Sequence, residues 1–227
     1  MKLLRIVQYA GYVTFHWGIR VGLFTLWQEL RGEFKYRIST TGFKTLTDAN
    51  VKGSQLRHAT EYMPVNYALL EQLLGQLPAE ARQGVFLDIG CGTGRALCVA
   101  ATHGFKRVRG FDFDRELLDR AEKNLALTKA RLPETDYQLR WCDLHEWEMT
   151  DDVSVIFLFN PFDKVLTEQL LKKIEKSLAH ASRPIWVLYA SPRFAEVFLQ
   201  AGFEIAEKRK LAGFIEGIIL KNRKAEC

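Results

Sequence analysis

A glycine-rich segment at residues 86–95, FLDIGCGTGR, has residue types and a spacing that could bind a ligand. Its glycines alternate with other residues, at Gly90, Gly92 and Gly94. Glycines between an apolar run and a helical pattern let the backbone approach a ligand closely. Arg95 replaces the third glycine of a dinucleotide fingerprint, and no Gly-Lys-Ser/Thr closes a phosphate loop. Asp88 precedes the first glycine instead, and a carboxylate suits a cationic or hydroxyl-bearing ligand better than a phosphate.

Two further acids follow the next apolar runs of the chain. Asp112 ends the run GFD, where an acid can accept two hydrogen bonds from a ribose diol, and Asp143 follows RWC, where it could take an exocyclic amine of a nucleobase. A single Asp at a strand end is most often a turn residue or a helix cap. Three of them in strand order, counting Asp88, predict one shared crevice.

The segment FNPFD raises a choice between strand termination and substrate contact. Asn160, Pro161 and Phe162 follow the apolar run VSVIFLF. Pro161 stops the strand in either case. Asp163 fits the cap of the following helix better than a proton relay. His58 could act as a base near a lid, but an exposed loop histidine is the simpler interpretation.

The elements that must position these residues alternate between helical and strand patterns from Met63 onward. The alternation predicts a doubly wound α/β domain over residues 61–227, with a parallel sheet covered on both faces. Two strand-like pieces around Ala212 and Gly213 predict a terminal antiparallel pair. In such a fold the ligand lies at the carboxyl ends of the strands.

The preceding residues, 1–60, are expected to form an apolar helix and a basic linker or lid. Residues 3–30 are apolar almost all round. Three interpretations compete: a membrane-spanning helix, an interfacial helix, and a helix packed on the domain or on a second subunit. Packing is favoured, because Arg20 and several glycines disfavour a span. Residues 31–62 are polar and basic and read as a linker or irregular cover with a solvated face.

The composition is that of a soluble globular protein, with 48% hydrophobic and 26% charged residues in a chain of 227. Residues 1–60 contain nine Lys/Arg against three Asp/Glu, whereas residues 61–227 contain 23 against 24, so the basic character belongs to the N-terminal segment. The cysteines show neither a CxxC pair nor metal-ligand spacing. We expect a cytoplasmic protein without a metal, and residues 3–30 could make peripheral contact with a membrane or mediate self-association.

Over roughly residues 60–220 the sequence resembles the class I S-adenosylmethionine-dependent methyltransferases. DIGCGTG looks like their first motif, GFDFD like the acidic end of their second strand, and CDL like the end of their third. The resemblance implies a seven-stranded sheet with an antiparallel terminal strand. It also implies S-adenosylmethionine as the cofactor, with Asp112 on the ribose and Asp143 near the adenine.

Within that class, HATEYMPVNYALLEQLL and FLFNPF look like an uncharacterised bacterial group related to the histone lysine methyltransferases that lack a SET domain. This closer resemblance implies that Glu61 and Tyr62 close over the cofactor, with Pro64 fixing the loop. The alternative is that Tyr62 and Pro64 simply start a helix.

The Asn-Pro-Phe segment is similar to the Asn/Asp-Pro-Pro-Tyr/Phe element of amino-group methyltransferases, in which the amide and a backbone carbonyl hold the target nitrogen. One proline is missing here, because Phe162 directly follows Pro161. That departure weakens the case for a planar base as substrate. The leading hypothesis is methyl transfer to a nitrogen of a protein side chain, with Asn160, Pro161 and Phe162 at the catalytic position. The alternatives are a nucleic-acid methyltransferase and a cofactor-binding scaffold without turnover.

Overall fold

Seven strands form one sheet in the computed structural model, which describes residues 2–42, 62–159, 163–213 and 215–223. The strands are β1 (Val85–Ile89), β2 (Arg107–Asp112), β3 (Asp136–Trp141), β4 (Val153–Phe159), β5 (Trp186–Ala190), β6 (Phe203–Leu211) and β7 (Ile215–Asn222). Their order is β3-β2-β1-β4-β5-β7-β6. The strands β1 to β5 pair in parallel, and β7 is antiparallel to both of its neighbours. The predicted seven-stranded fold with a reversed terminal strand is therefore confirmed.

Helices cover both faces of the sheet. They are α1 (Lys2–Trp17), α2 (Ile19–Tyr36), α3 (Tyr67–Gly75), α4 (Arg95–Thr102), α5 (Arg115–Lys129), α6 (Lys164–His180) and α7 (Ala195–Gln200), with a 3₁₀ helix at Ala79–Gln83. One apolar core lies between the sheet and α3, α4 and α5, and a second lies between the sheet and α6 and α7. This is the doubly wound arrangement that the alternating pattern predicts.

The central strands are apolar throughout because both of their faces are covered. Along β1, Val85, Leu87 and Ile89 contribute to one core and Phe86 contributes to the other. The strand β6, at the edge of the sheet, instead alternates between buried or half-buried and exposed positions. This difference between continuous and alternating burial places β1 in the middle of the sheet and β6 at its margin.

Two aspartates start helices at the carboxyl edge of the sheet. Asp163 accepts a hydrogen bond from the backbone N–H of Leu166 at 3.0 Å and caps α6, as the sequence favours. Asp114 caps α5 in the same way, accepting from Glu116 and Leu117. A side-chain oxygen at this position satisfies backbone donors that have no partner within the helix.

The N-terminal segment departs from the prediction in two ways. The expected single helix is two helices, because Gly18 has φ +93° and breaks the chain direction. Residues 31–36, predicted to be part of a linker, continue α2 to Tyr36. Thr14 and Gly22 lie so close that a Cβ added to Gly22 would be 1.8 Å from Thr14 Oγ1, so α1 and α2 pack against each other as a hairpin.

The three interpretations of this segment can now be compared. Among the described residues, no helix combines the length and the apolar character that crossing a bilayer requires. The inner side of the hairpin packs on α3 and α4, so the favoured packed arrangement is present. The hairpin, defined as residues 2–36, is thus a cover on the sheet domain.

Candidate active site

The glycine loop joins β1 to α4 through three residues in left-handed backbone conformations. Gly90, Gly92 and Gly94 have φ of +69°, +52° and +78°. At Gly92 a side chain is excluded for a second reason, because an added Cβ would lie 2.3 Å from the ring of Tyr62. The alternating glycines of the sequence are therefore a conformational requirement of this turn.

Asp112 holds this loop from the end of β2. One of its carboxylate oxygens accepts a hydrogen bond from Gly92 N at 2.8 Å, and the other accepts from Asp114 N at 2.8 Å. Burial raises the pKa of Asp112 to about 6, although the backbone donors oppose the shift. A carboxylate has about four acceptor positions. Asp112 therefore holds the loop and keeps acceptor capacity for a ligand.

Asp88 lies on the neighbouring strand, at the end of β1. Its carboxyl is buried, and burial together with the charge of Asp112 raises its pKa well above the ordinary range. Two buried carboxyl groups in proximity resist full ionisation. A ligand that brings positive charge or hydroxyl donors would stabilise the ionised pair, and a phosphate would do the opposite.

Asp143 is in the turn after β3 and is half-buried. Its Oδ1 accepts hydrogen bonds from His145 N at 2.8 Å and Glu146 N at 3.1 Å, so it caps this turn. Because β1, β2 and β3 are parallel neighbours, Asp88, Asp112 and Asp143 follow the same edge of the sheet, as expected. The contact of Asp143 with a nucleobase stays a prediction.

Tyr62 covers the glycine loop together with a short segment that follows α2, which we call the strap (residues 37–42). The Tyr62 hydroxyl lies 3.1 Å from Thr40 O and 2.6 Å from Thr93 Oγ1. Thr93 Oγ1 lies 3.2 Å from the same carbonyl, so one hydroxyl donates to the other, which in turn donates to Thr40 O. The strap and Tyr62 thus close over the backbone of the loop, and the contact of Tyr62 with the cofactor stays a prediction.

Asn124 fastens the strap from α5. Its amide nitrogen donates to Ser39 O at 3.2 Å and to Thr93 O at 3.0 Å, and its oxygen accepts from Ser39 N at 2.9 Å. This one amide therefore links the strap and the glycine loop, which the sequence reasoning did not single out.

Arg95, the first residue of α4, connects the loop to the N-terminal hairpin. Its guanidinium donates to Glu29 at 2.8 and 2.5 Å, to Thr40 Oγ1 at 2.8 Å and to Val65 O at 2.7 Å. It also stacks over the ring of Tyr67, 3.9 Å from the centroid. Arg95 and Glu29 are both buried and form an ion pair. Arg95 is the residue that stands where a dinucleotide fingerprint would have its third glycine.

Sequence reasoning missed this pair, although one signal was present. Glu29 is the only acid among residues 3–30. A charge that becomes buried needs a partner of opposite sign, so a lone acid in an apolar helix predicts a buried cation nearby.

The predicted catalytic residues lie outside the described residues, as do Glu61 and His58. Asn160, Pro161 and Phe162 occupy the sequence between the end of β4 at Phe159 and the cap of α6 at Asp163. Their roles stay predictions. What the structure adds is that β4 pairs directly with β1, the strand that leads into the glycine loop.

Residues 86–183, which include the glycine loop and the three acids, match the model of a family described as a methyltransferase domain. No curated protein matches the sequence. An RNA methyltransferase from Salinibacter ruber, solved in complex with S-adenosyl-L-homocysteine, is 20% identical with a TM-score of 0.50, over 70% of this chain and 92% of that one. An uncharacterized protein from Listeria monocytogenes serotype 4b is 14% identical with a TM-score of 0.53, over 72% and 70%. These likenesses show the fold.

The matched domain and the motifs within it define the class of protein. It is an S-adenosylmethionine-dependent methyltransferase, and S-adenosylmethionine is its cofactor. The residues present fit that group, because a sulfonium cation and a ribose diol suit the buried pair formed by Asp88 and Asp112.

Proposed function

We propose that this methyltransferase acts on a nitrogen of a protein side chain, at the edge of the sheet where β1 and β4 lie side by side. The observation that carries the proposal is the parallel pairing of these strands, with Ile89 opposite Leu158. It makes the glycine loop and the Asn160-Pro161-Phe162 segment begin at adjacent strand ends. Cofactor and acceptor residues therefore follow neighbouring strands.

The cofactor residues would divide their tasks according to chemistry. Asp112 would accept hydrogen bonds from the ribose hydroxyls, since each such bond to a charged acceptor contributes roughly 1.5–3 kcal/mol. Gly90, Gly92 and Gly94 would let the backbone approach the methionine part, with Asp88 beneath them. Asp143 would accept from the exocyclic amine of the adenine, and Tyr62 would help to exclude water above the loop.

The donor supplies an already activated methyl on a sulfonium sulfur, so the protein's task is to position the acceptor. Holding a nucleophile about 3–3.5 Å from the carbon it attacks provides much of the acceleration in such displacements. The acceptor amine must be neutral: its lone pair forms the new bond, the carbon–sulfur bond breaks toward sulfur, and the amine then releases a proton. Asn160 would orient that amine through its amide oxygen, and Phe162 would pack beside it.

A protein side chain is favoured because the segment lacks the second proline of the element that holds planar bases. The basic N-terminal segment is the feature that would support a nucleic-acid acceptor. Two of its cations are already engaged, since Arg31 and Lys35 both pair with Glu71. Nucleic acid is therefore the second candidate and an outcome that the experiment can return.

The test is transfer of radiolabel from S-adenosylmethionine to a lysate that has been divided and treated with protease or with nuclease. Label that is lost after protease and kept after nuclease supports the proposal. If the label is lost only after nuclease treatment, the acceptor is a nucleic acid and not a protein. No label in any fraction, while calorimetry shows cofactor binding, favours a scaffold without turnover.

Asn160→Ala tests the assigned role of the segment. We expect unchanged cofactor affinity and at least tenfold slower transfer, because only the acceptor loses its hydrogen bond. Lys164→Ala is the matched control, since this exposed residue starts α6 a few positions further along. Equal turnover of Asn160→Ala and the wild type would return Asn160 to the role of a turn residue.

A further inference from the structure

The helix α2 is amphipathic in the reverse sense to a helix on the surface of a soluble protein. Its buried positions include Gln28, Glu29 and Glu33. Its exposed positions include Ile19, Leu23, Trp27, Leu30 and Phe34. The exposed set recurs at intervals of three or four residues, which forms one stripe along a helix. The stripe is therefore an apolar face that points away from the protein core.

The helix α1 adds to this exposed surface. It buries Ile6, Tyr9, Ala10 and Val13 on its inner side. It exposes Leu3, Leu4, Val7, Phe15 and Trp17. Scattered apolar side chains on a surface are normal, but contiguous apolar patches mark interaction sites. Ten of the fourteen exposed large hydrophobic side chains in the described residues belong to these two helices, and we call this set the hairpin face.

The charges of the hairpin are sorted by sign. Both of its acids, Glu29 and Glu33, are buried: Glu29 binds Arg95, and Glu33 accepts hydrogen bonds from the backbone of the strap. Arg20 is exposed beside Ile19, whereas Arg5 is half-exposed and its charge adds to burial in lowering the pKa of Arg120 on α5. The hairpin therefore directs apolar side chains and Arg20 outward, with its acidic side chains directed inward.

This combination indicates the chemistry of the partner. Cytoplasmic membrane surfaces carry anionic lipids that attract basic residues, and the headgroup boundary accommodates Trp, Phe and Leu from one side of a helix. Pairing with a second copy would place the same basic patch against itself, because a twofold contact uses one surface twice. An anionic lipid surface satisfies both the apolar stripe and the cations.

We propose that the hairpin face docks on anionic membranes, with α1 and α2 lying in the headgroup boundary. Trp17 and Trp27, 52% and 57% exposed, would lie at the headgroup level, and Phe34, 87% exposed, would enter the acyl region. Since Glu29 binds Arg95 at the start of α4, the same contact holds the glycine loop at a fixed position relative to the bilayer. Docking is a property of the hairpin and does not depend on the methyl acceptor.

The experiment is co-sedimentation of the full chain with phosphatidylcholine vesicles, with and without a third of phosphatidylglycerol. We expect at least tenfold tighter binding to the anionic vesicles and weaker binding as salt increases. The double variant Trp27→Ser with Phe34→Ser should lose at least tenfold, and Arg20→Gln about fivefold. Leu127→Ser is the control, because Leu127 is similarly exposed on α5, outside the hairpin, and its replacement should leave binding unchanged.

Two results would overturn the proposal. One is that the full chain sediments with neither kind of vesicle, while the variants unfold at the same temperature as the wild type. The other is a wild-type protein that does not bind vesicles and that forms a dimer in light scattering, while the double variant is monomeric. That result would assign the hairpin face to a second copy. Calorimetric binding of S-adenosylmethionine by the same variants shows whether each remains folded. The methyl-transfer assay is read separately, so failure of docking leaves the proposed function untouched.

Discussion

The helices α2 and α5 flank the same glycine loop and follow opposite rules. The helix α5 buries apolar side chains, among them Leu117, Leu118 and Leu125, and exposes charged ones. The helix α2 buries Glu29 and Glu33 and exposes Trp27 and Phe34. The first is the ordinary surface helix of a soluble α/β domain. The second is attached to the domain by buried polar contacts and leaves its apolar side free.

This difference shows that the two helices are stabilised by different interactions. Burial of apolar surface stabilises α5 in a non-directional way, so many side chains of similar size would serve. The attachment of α2 relies on hydrogen bonds and ion pairs, of which the pair between Glu29 and Arg95 is buried. Such contacts require specific partners at specific distances. The hairpin is thus the more specific and the more vulnerable of the two attachments.

The largest expected effect breaks that attachment. Glu29→Ala leaves the buried Arg95 guanidinium without its anion, and removing one partner of a buried pair typically costs about 3–5 kcal/mol. Urea denaturation should show a loss of this size in the free energy of unfolding. Glu204→Ala is the control, because Glu204 pairs with Arg223 at the exposed edge and such pairs contribute about 0–1 kcal/mol.

A double variant sharpens the same comparison. Glu29→Met with Arg95→Met removes both charges, so the loss should be smaller than for Glu29→Ala alone. Equal stability of Glu29→Ala and Glu204→Ala would contradict the idea that buried charge attaches α2.

The second largest effect concerns cofactor binding by Asp112, which holds the glycine loop from the end of β2. Asp112→Ala should weaken S-adenosylmethionine binding by about 1.5–3 kcal/mol, through loss of charged hydrogen bonds to the ribose. Isothermal titration calorimetry measures it, and vesicle binding by the same variant should be unchanged, because the hairpin face is elsewhere. Asp119→Ala, on the exposed side of α5, is the control. Unchanged cofactor affinity would remove Asp112 from the site.

The smallest effect is a pH dependence of cofactor affinity. The pKa of Asp112 is raised to about 6 in the folded protein, mainly by burial, from about 3.9 in an unfolded chain. Because the pKa is raised on folding, the protonated carboxyl stabilises the folded, cofactor-free protein. This contribution to the free energy of unfolding is complete below about pH 4 and is lost as the pH rises through 6. A cofactor that needs the ionised form should therefore bind more weakly below pH 6, by up to about tenfold per unit. Calorimetry at pH 5, 6 and 7.5 checks this, and constant affinity contradicts it.

Much of the sheet domain could be predicted, because its signals are local. The apolar run before Asp88 predicts a buried strand, and the alternating glycines at 90, 92 and 94 predict the turn that follows. The acids at successive strand ends predicted one shared crevice, and β1, β2 and β3 lie side by side in the sheet. The terminal pair was predicted as antiparallel, but the position of β7 between β5 and β6 was not, because that choice depends on which strand fits beside β5.

The hairpin was less predictable for a physical reason. A single apolar segment does not reveal which side will be covered, and Gly18 as a break differs little in sequence from Gly11, which lies within α1. The linker prediction failed over residues 31–36 because α2 is stabilised there by contacts with distant residues, such as Tyr36 with Glu71.

By itself the sequence determined the class of fold, the glycine loop and the acids at its edge, since each depends on residues close together in the chain. Only the tertiary structure decided that Arg95 binds Glu29, that Tyr62 and the strap close over Gly92, and that α2 turns its acids inward. Those facts depend on which surfaces meet across distant parts of the chain, and a buried charge is stable only where its partner arrives.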